Sequence, residues 1–143
     1  MENKILVLSA MKYEVSEFVK FCYQNEKDIL FFYTGIGREN VVNSLKKLSE
    51  NLLSSSIIFT GFAGALRKNL KVGDVLEIGE IYNGSNNKIH ISNNQKIITI
   101  DSMADKYLKQ RLSEETDADL VDMESYYVAD FFCKKNNKNI KFF

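Results

Sequence analysis

The run Ile5-Leu6-Val7-Leu8, closed by Ser9, has no polar side to offer to water. A strand of that kind must be covered on both faces, and sheets covered on both faces are built from parallel strands linked by helices. The next stretch of chain fits that scheme: Val15, Phe18, Val19 and Cys22 recur at helical spacing, with Lys12, Glu17 and Lys20 mostly elsewhere. The opening therefore reads strand, turn, helix.

The same alternation continues. Residues 28–34 enclose a second buried-strand candidate, Ile29-Leu30-Phe31-Phe32-Tyr33, and Gly35-Ile36-Gly37 breaks it. From about Glu39, the residues Val41, Val42, Leu45, Leu48 and Leu52 form one apolar helical stripe. Residues 56–60 read as a third strand, ending in the turn Gly61-Phe62-Ala63-Gly64. Stretches 72–82 and 88–100 are strand-rich, separated by the turn cluster Asn83-Gly84-Ser85-Asn86-Asn87, and Gly73-Asp74 and Gly79 mark bends or bulges. Helices are expected over 104–112 and 123–135, and a final strand begins at Ile140. Strands alternating with helices specify an α/β protein, a three-layer α/β/α sandwich around a central mixed sheet. At 143 residues, with no proline, repeat or low-complexity linker, the chain suits one domain over 1–143.

Composition narrows the function classes. Nineteen basic residues offset nineteen acidic ones, so no global field draws the chain to nucleic acid or to an anionic membrane. The apolar run 5–11 is too short to span a bilayer and lacks a signal-peptide cleavage pattern, which makes a cytoplasmic protein the expectation. Cys22 and Cys133 fall in expected helices with no third cysteine or histidine spaced for zinc, so both read as small buried apolar residues and no metal is expected. His90, the sole histidine, sits in the alternating stretch Lys88-Ile89-His90-Ile91 and reads as a surface residue. Phe18, Phe31, Phe32, Phe131 and Phe132 read as core.

Three segments carry chemistry: Ala10-Met11-Lys12-Tyr13-Glu14, Thr60-Gly61-Phe62-Ala63-Gly64 and Val121-Asp122-Met123-Glu124-Ser125. Each stands where an expected strand gives way to a loop or helix, so two carboxylates and a glycine turn can converge on one sheet edge, the usual place of a small-molecule site in an open α/β fold. Each also has a plainer reading. Glu14 and Glu124 could be first-turn charges at helix starts, Asp122 a helix cap, and Gly61 and Gly64 a tight turn. Gly35-Ile36-Gly37-Arg38 reads first as a strand-to-helix turn, with an anion cradle as the other use of such a turn.

These three segments, with Lys71-Val72-Gly73-Asp74-Val75 between them, resemble the nucleoside phosphorylase and nucleosidase superfamily, and most of all the 5′-methylthioadenosine/S-adenosylhomocysteine nucleosidases. The resemblance implies a nucleoside phosphorylase-like fold and a hydrolase that cleaves the N-glycosidic bond of a 5′-methylthioadenosine-like purine nucleoside, with no cofactor. It implies Glu14 as the group that orients and activates water, Glu124 and Met123 on the ribose, Ala63 and Gly64 as the backbone turn at the nucleophile, and Met103 and Met11 at the purine. It further implies a homodimer with a purine nucleoside or free base as ligand. Phe62 stands where many members carry a small polar residue, so its ring is expected to narrow the nucleophile pocket. The family also continues past the strand at Ile140 into a serine-aspartate motif, whose aspartate protonates the departing base, and a last helix. The sequence stops at Phe143, so that acid and helix are expected to be lacking and Ile140, Phe142 and Phe143 to be partly uncovered, a surface that pairing of two subunits would shield.

Cleavage of an N-glycosidic bond builds positive charge on the sugar and negative charge on the base, so carboxylates serve the first and an acid serves the second. Three readings are open: a hydrolase, a phosphate-dependent phosphorylase drawing on Arg38, Arg67 and Arg111, or a catalytically impaired homologue that binds a nucleoside or purine.

Overall fold

The computed structural model describes residues 4–53 and 55–143. The strands are β1 (Ile5–Ser9), β2 (Ile29–Tyr33), β3 (Ser56–Phe59), β4 (Gly64–Ala65), β5 (Ile78–Asn83), β6 (Lys88–His90), β7 (Gln95–Thr99), β8 (Leu120–Asp122) and β9 (Ile140–Phe142). The helices are α1 (Ser16–Gln24), α2 (Gly37–Leu45), α3 (Lys106–Glu115) and α4 (Ser125–Lys134). Strand order across the sheet is β2-β1-β3-β9-β5-β7-β8-β4, with β6 paired to β5 beside that path. Neighbours run parallel except at β4–β8, β5–β6 and β5–β9, so the sheet is mixed as the sequence implies.

Side-chain alternation builds the layers. Leu6, Leu8, Ile97 and Leu120 join Val41 and Leu45 of α2 and Val128, Ala129 and Phe132 of α4 in one core. The intervening residues Ile98 and Val121 point the other way, to a second core with Leu112 of α3. Phe31 of β2 meets Phe18 of α1 edge to face, ring centres 5.8 Å apart. Helices thus cover both faces, giving the three-layer sandwich.

Several local expectations are corrected. Residues 72–77 are loop, not strand: Gly73 takes φ +96°, and the Lys71 N–H donates to the Asp74 carboxylate at 2.8 Å, closing a turn that leaves Val72 and Val75 in solvent. Gly79 is a bulge, as the sequence implies, where the β5–β7 register shifts between Ile78 and Glu80. The third helix starts at Lys106 rather than 104, because the Asp105 carboxylate accepts from the Leu108 N–H at 2.8 Å and caps it there. Cys22 is buried but Cys133 is exposed, one position past Phe132 and so turned off the core face of α4. Phe18 is 38% exposed despite its place on the apolar stripe of α1. Ile140 and Phe142 are buried, not uncovered, because β9 lies inside the sheet between β3 and β5; of Ile140, Phe142 and Phe143, only Phe143 is exposed. His90 lies at the surface beside Glu80, as its alternating context implies. Among the described residues no helix is long and apolar enough to cross a membrane.

Candidate active site

The three motif segments meet because of strand register. The order β1-β3 is adjacent, with Leu8 opposite Phe59, so the turns leaving both strands emerge side by side. At the far edge, β8 is bracketed by β7 and β4: Thr99 stands opposite Asp122, and Gly64 opposite Val121. Glu14, Ala63, Gly64 and Glu124 consequently line one cavity of about 810 Å³. That volume lies within the roughly 300–1,000 Å³ of ordinary small-molecule sites.

Glu14 sits in a turn of 3₁₀ helix, Lys12–Val15, placed by the end of β1. Its Oε2 accepts from the Ser9 hydroxyl at 2.8 Å and the Met11 N–H at 2.9 Å, and its Oε1 accepts from the Phe62 N–H at 3.2 Å. Gly61 is where this carboxylate nests, since a Cβ there would stand 3.3 Å from Oε1. A carboxylate fixed by three donors from two separate stretches of chain is oriented, not merely placed at a helix start.

Glu124 is held differently. Its Oε1 accepts from the Gly37 N–H at 2.9 Å and its Oε2 from the Met123 N–H at 3.3 Å. Gly35 and Gly37 both take φ +79°, a conformation that favours glycine, and this turn aims the first N–H of α2 at the carboxylate. The turn and anion-cradle readings of the Gly35–Arg38 segment therefore coincide, and the anion is the protein's own Glu124. Burial lifts the Glu124 carboxyl from its ordinary 4.5 to about 7; the Gly37 N–H pulls it back down, while the negative charges of Asp122 and Glu14 add to the rise.

Asp122 does more than cap a helix. Its Oδ2 takes the Ser125 N–H at 2.9 Å and the Ser125 hydroxyl at 2.6 Å, as a cap would, while Oδ1 takes the Thr99 hydroxyl at 2.7 Å. The Thr99 Oγ1 in turn accepts from the Tyr126 N–H at 2.9 Å, tying β7, β8 and α4 together under the cavity. Burial pushes the Asp122 carboxyl up from its usual value. Ser9 and Thr99 are not singled out by sequence reasoning, and Asp122 reads there as a helix cap rather than a site residue. Their one signal was position, polar residues closing apolar strands.

The methionines fare unevenly. Met11 and Met123 supply backbone N–H groups to Glu14 and Glu124, but neither side chain lines the cavity; the Met123 Cε packs by Gly37 instead. Met103 is 85% exposed and lies away from the lining. Phe62 does not plug the site. Its ring is 65% exposed at the rim, 5.9 Å from the Tyr13 ring, and only its backbone reaches Glu14. None of the three arginines lines the cavity: Arg38 lies over the Tyr127 ring, Arg67 binds Ser113 and the Thr116 carbonyl, and Arg111 faces Glu115. Among the described residues no group of three or more histidine, cysteine, aspartate or glutamate side chains is arranged to hold a metal ion.

An open α/β cavity flanked by two oriented carboxylates is the layout of a small-molecule site, and the fold is nucleoside phosphorylase-like, shared with the solved structures that follow. The chain superposes on native futalosine hydrolase of Helicobacter pylori with a TM-score of 0.79 at 22% identity, covering 99% of this chain and 86% of that one. A 5′-methylthioadenosine/S-adenosyl homocysteine nucleosidase of Helicobacter pylori, solved in complex with a small organic ligand, gives 0.79 at 21% identity, covering 98% and 82%. The corresponding nucleosidase of Campylobacter jejuni gives 0.75 at 20% identity, covering 97% and 82%. No family model and no curated protein sequence matches the chain.

Proposed function

We propose that the protein is a purine N-ribosidase, a hydrolase that cleaves the N-glycosidic bond of a 5′-methylthioadenosine-like nucleoside. The observation that carries this reading is that Glu14 and Glu124, distant in sequence, line one cavity as oriented carboxylates. Glu14 is the group for water: fixed through Ser9, Met11 and Phe62, it accepts a proton as the nucleophile attacks. Glu124, ionised, accepts from ribose hydroxyls and stabilises the positive charge that grows on the sugar. The similar solved structures named as nucleosidases and hydrolases support the same class of reaction. The arginines engaged away from the cavity favour water over phosphate as the nucleophile.

Incubation with 5′-methylthioadenosine in phosphate-free buffer is expected to release adenine and methylthioribose. Base release that appears only on adding phosphate would replace hydrolysis with phosphorolysis, and none under either condition would sink the reading.

Glu124 also gives a pH dependence. Ribose binding through its anion requires deprotonation, so kcat/KM is expected to rise with pH through about 7. Stability moves the opposite way. With a folded pKa above the ordinary 4.5, the native state binds a proton that the unfolded chain has released, so stability falls as pH climbs from 4.5 to about 7. The fall attributable to this group is at most about 3 kcal/mol. Urea unfolding at pH 5 and pH 8 should show a smaller difference in Glu124→Gln than in the parent; an unchanged difference would remove Glu124 as the source.

A further inference from the structure

Lys109 is a cation that neither motif nor resemblance brought into view. It lies on α3, half-buried, and its side chain runs into the cavity beside the glycine turn. The space it uses exists because residue 64 has no side chain: a Cβ on Gly64 would stand 2.8 Å from the Lys109 Cε and 3.1 Å from its Nζ. Gly64 thus does for Lys109 what Gly61 does for Glu14, each glycine leaving a slot that a charged side chain enters.

The lysine ammonium has no hydrogen bond or ion pair among the described residues. The acidic groups lining the same cavity are engaged elsewhere: Glu14 with Ser9, Met11 and Phe62, Asp122 with Thr99 and Ser125, Glu124 with Gly37 and Met123, and Asp74 with the Lys71 N–H. Lys71, the other lysine on the lining, lies in the exposed loop 71–75. An ammonium that reaches a cavity of substrate size without a counter-ion from the protein is placed to take its partner from the ligand.

We propose that Lys109 binds an oxyanion of the ligand, so that the preferred substrate is an acidic purine nucleoside, one bearing a phosphate or carboxylate. This rests on the nucleosidase reading above, and makes the neutral 5′-methylthioadenosine the lesser substrate of the same site. The same chemistry would also hold free phosphate, and the test separates the two.

Base release is measured from adenosine, adenosine 5′-monophosphate and adenosine 5′-carboxylic acid, with and without inorganic phosphate, for the parent protein, Lys109→Gln and Lys109→Arg. Thermal stabilisation by the same compounds is recorded alongside. The parent is expected to favour an acidic nucleoside over adenosine by about ten- to a hundred-fold in kcat/KM, the scale of one charged hydrogen bond. Lys109→Gln should lose that preference, falling about ten-fold or more further on the acidic nucleosides than on adenosine, and Lys109→Arg should retain most of it. Phosphate that speeds adenosine cleavage in the parent but not in Lys109→Gln identifies free phosphate as the oxyanion and overturns the acidic-substrate assignment. A Lys109→Gln change equal on neutral and acidic nucleosides, or no change, overturns the role of Lys109. Should no nucleoside release its base, the nucleosidase reading fails separately. Lys109 then stands only if adenosine 5′-monophosphate stabilises the parent more than adenosine does and this excess vanishes in Lys109→Gln, and it falls otherwise.

Discussion

Glu14→Gln is expected to lower kcat on a cleavable nucleoside by about 10²–10⁴-fold, the range for removing a positioned proton acceptor, while KM stays within a few-fold. Glutamine keeps the length and shape of glutamate but only one of its two terminal atoms accepts. The parent carboxylate takes donors at both oxygens, from Ser9 and Met11 at Oε2 and from Phe62 at Oε1, so the amide must leave one side facing a donor with a donor. The variant therefore loses both the base and part of its orientation, without a void. Single-turnover base release, with circular dichroism to establish the fold, checks it. A variant within three-fold of the parent would show that Glu14 does not activate the nucleophile, and would return it to the plainer role of a charge closing a 3₁₀ turn.

Gly79→Ala is expected to cost about 3 kcal/mol, the upper end for forcing atoms into a filled core, and to lower Tm by roughly 6–12 °C. The added Cβ would lie 2.3 Å from the Ser92 carbonyl oxygen and 2.5 Å from the Asn94 nitrogen. Both are backbone atoms of the link between β6 and β7, and that link is pinned to Gly79 itself, whose carbonyl accepts from the Ile91 N–H at 2.7 Å and the Ser92 N–H at 3.1 Å. No flexible side chain is there to move aside. Gly84→Ala is the matched control, because a Cβ there meets nothing within 4 Å. Thermal melts of the two variants should separate clearly; a Gly79→Ala protein as stable as the control would mean that the bulge gives way.

Much of the architecture was legible along the chain for a definite reason. Strands covered on both faces, such as β1 and β3, tolerate few polar residues, and so announce themselves. Helical stripes such as Val41 and Leu45 of α2 do the same at their own period. What was illegible depends on partners remote in sequence. The two-residue strand β4 has no local signal and exists because β8 offers Gly64 and Ala65 an edge. Residues 72–77 carry strand-forming valines, but the turn at Gly73 and Asp74 overrides them. In the site, the two glutamates and the glycine turn could be found from their motifs. The Thr99–Asp122 pairing could not, since it depends on the register of β7 on β8, and Lys109 enters the cavity from a helix whose sequence gives no hint of it.

The central position of β9 bears on how the protein is made. A ribosome delivers residues 140–142 after β1 to β8, yet these residues join β3 to β5. Before they emerge, the nascent polypeptide can hold at best two half-sheets with raw facing edges, and the Phe142 wall of the cavity has not been laid. Assembly of the binding chamber therefore waits for synthesis to pass β9, and a chain stalled short of residue 140 keeps the edges of β3 and β5 open to misplaced pairing.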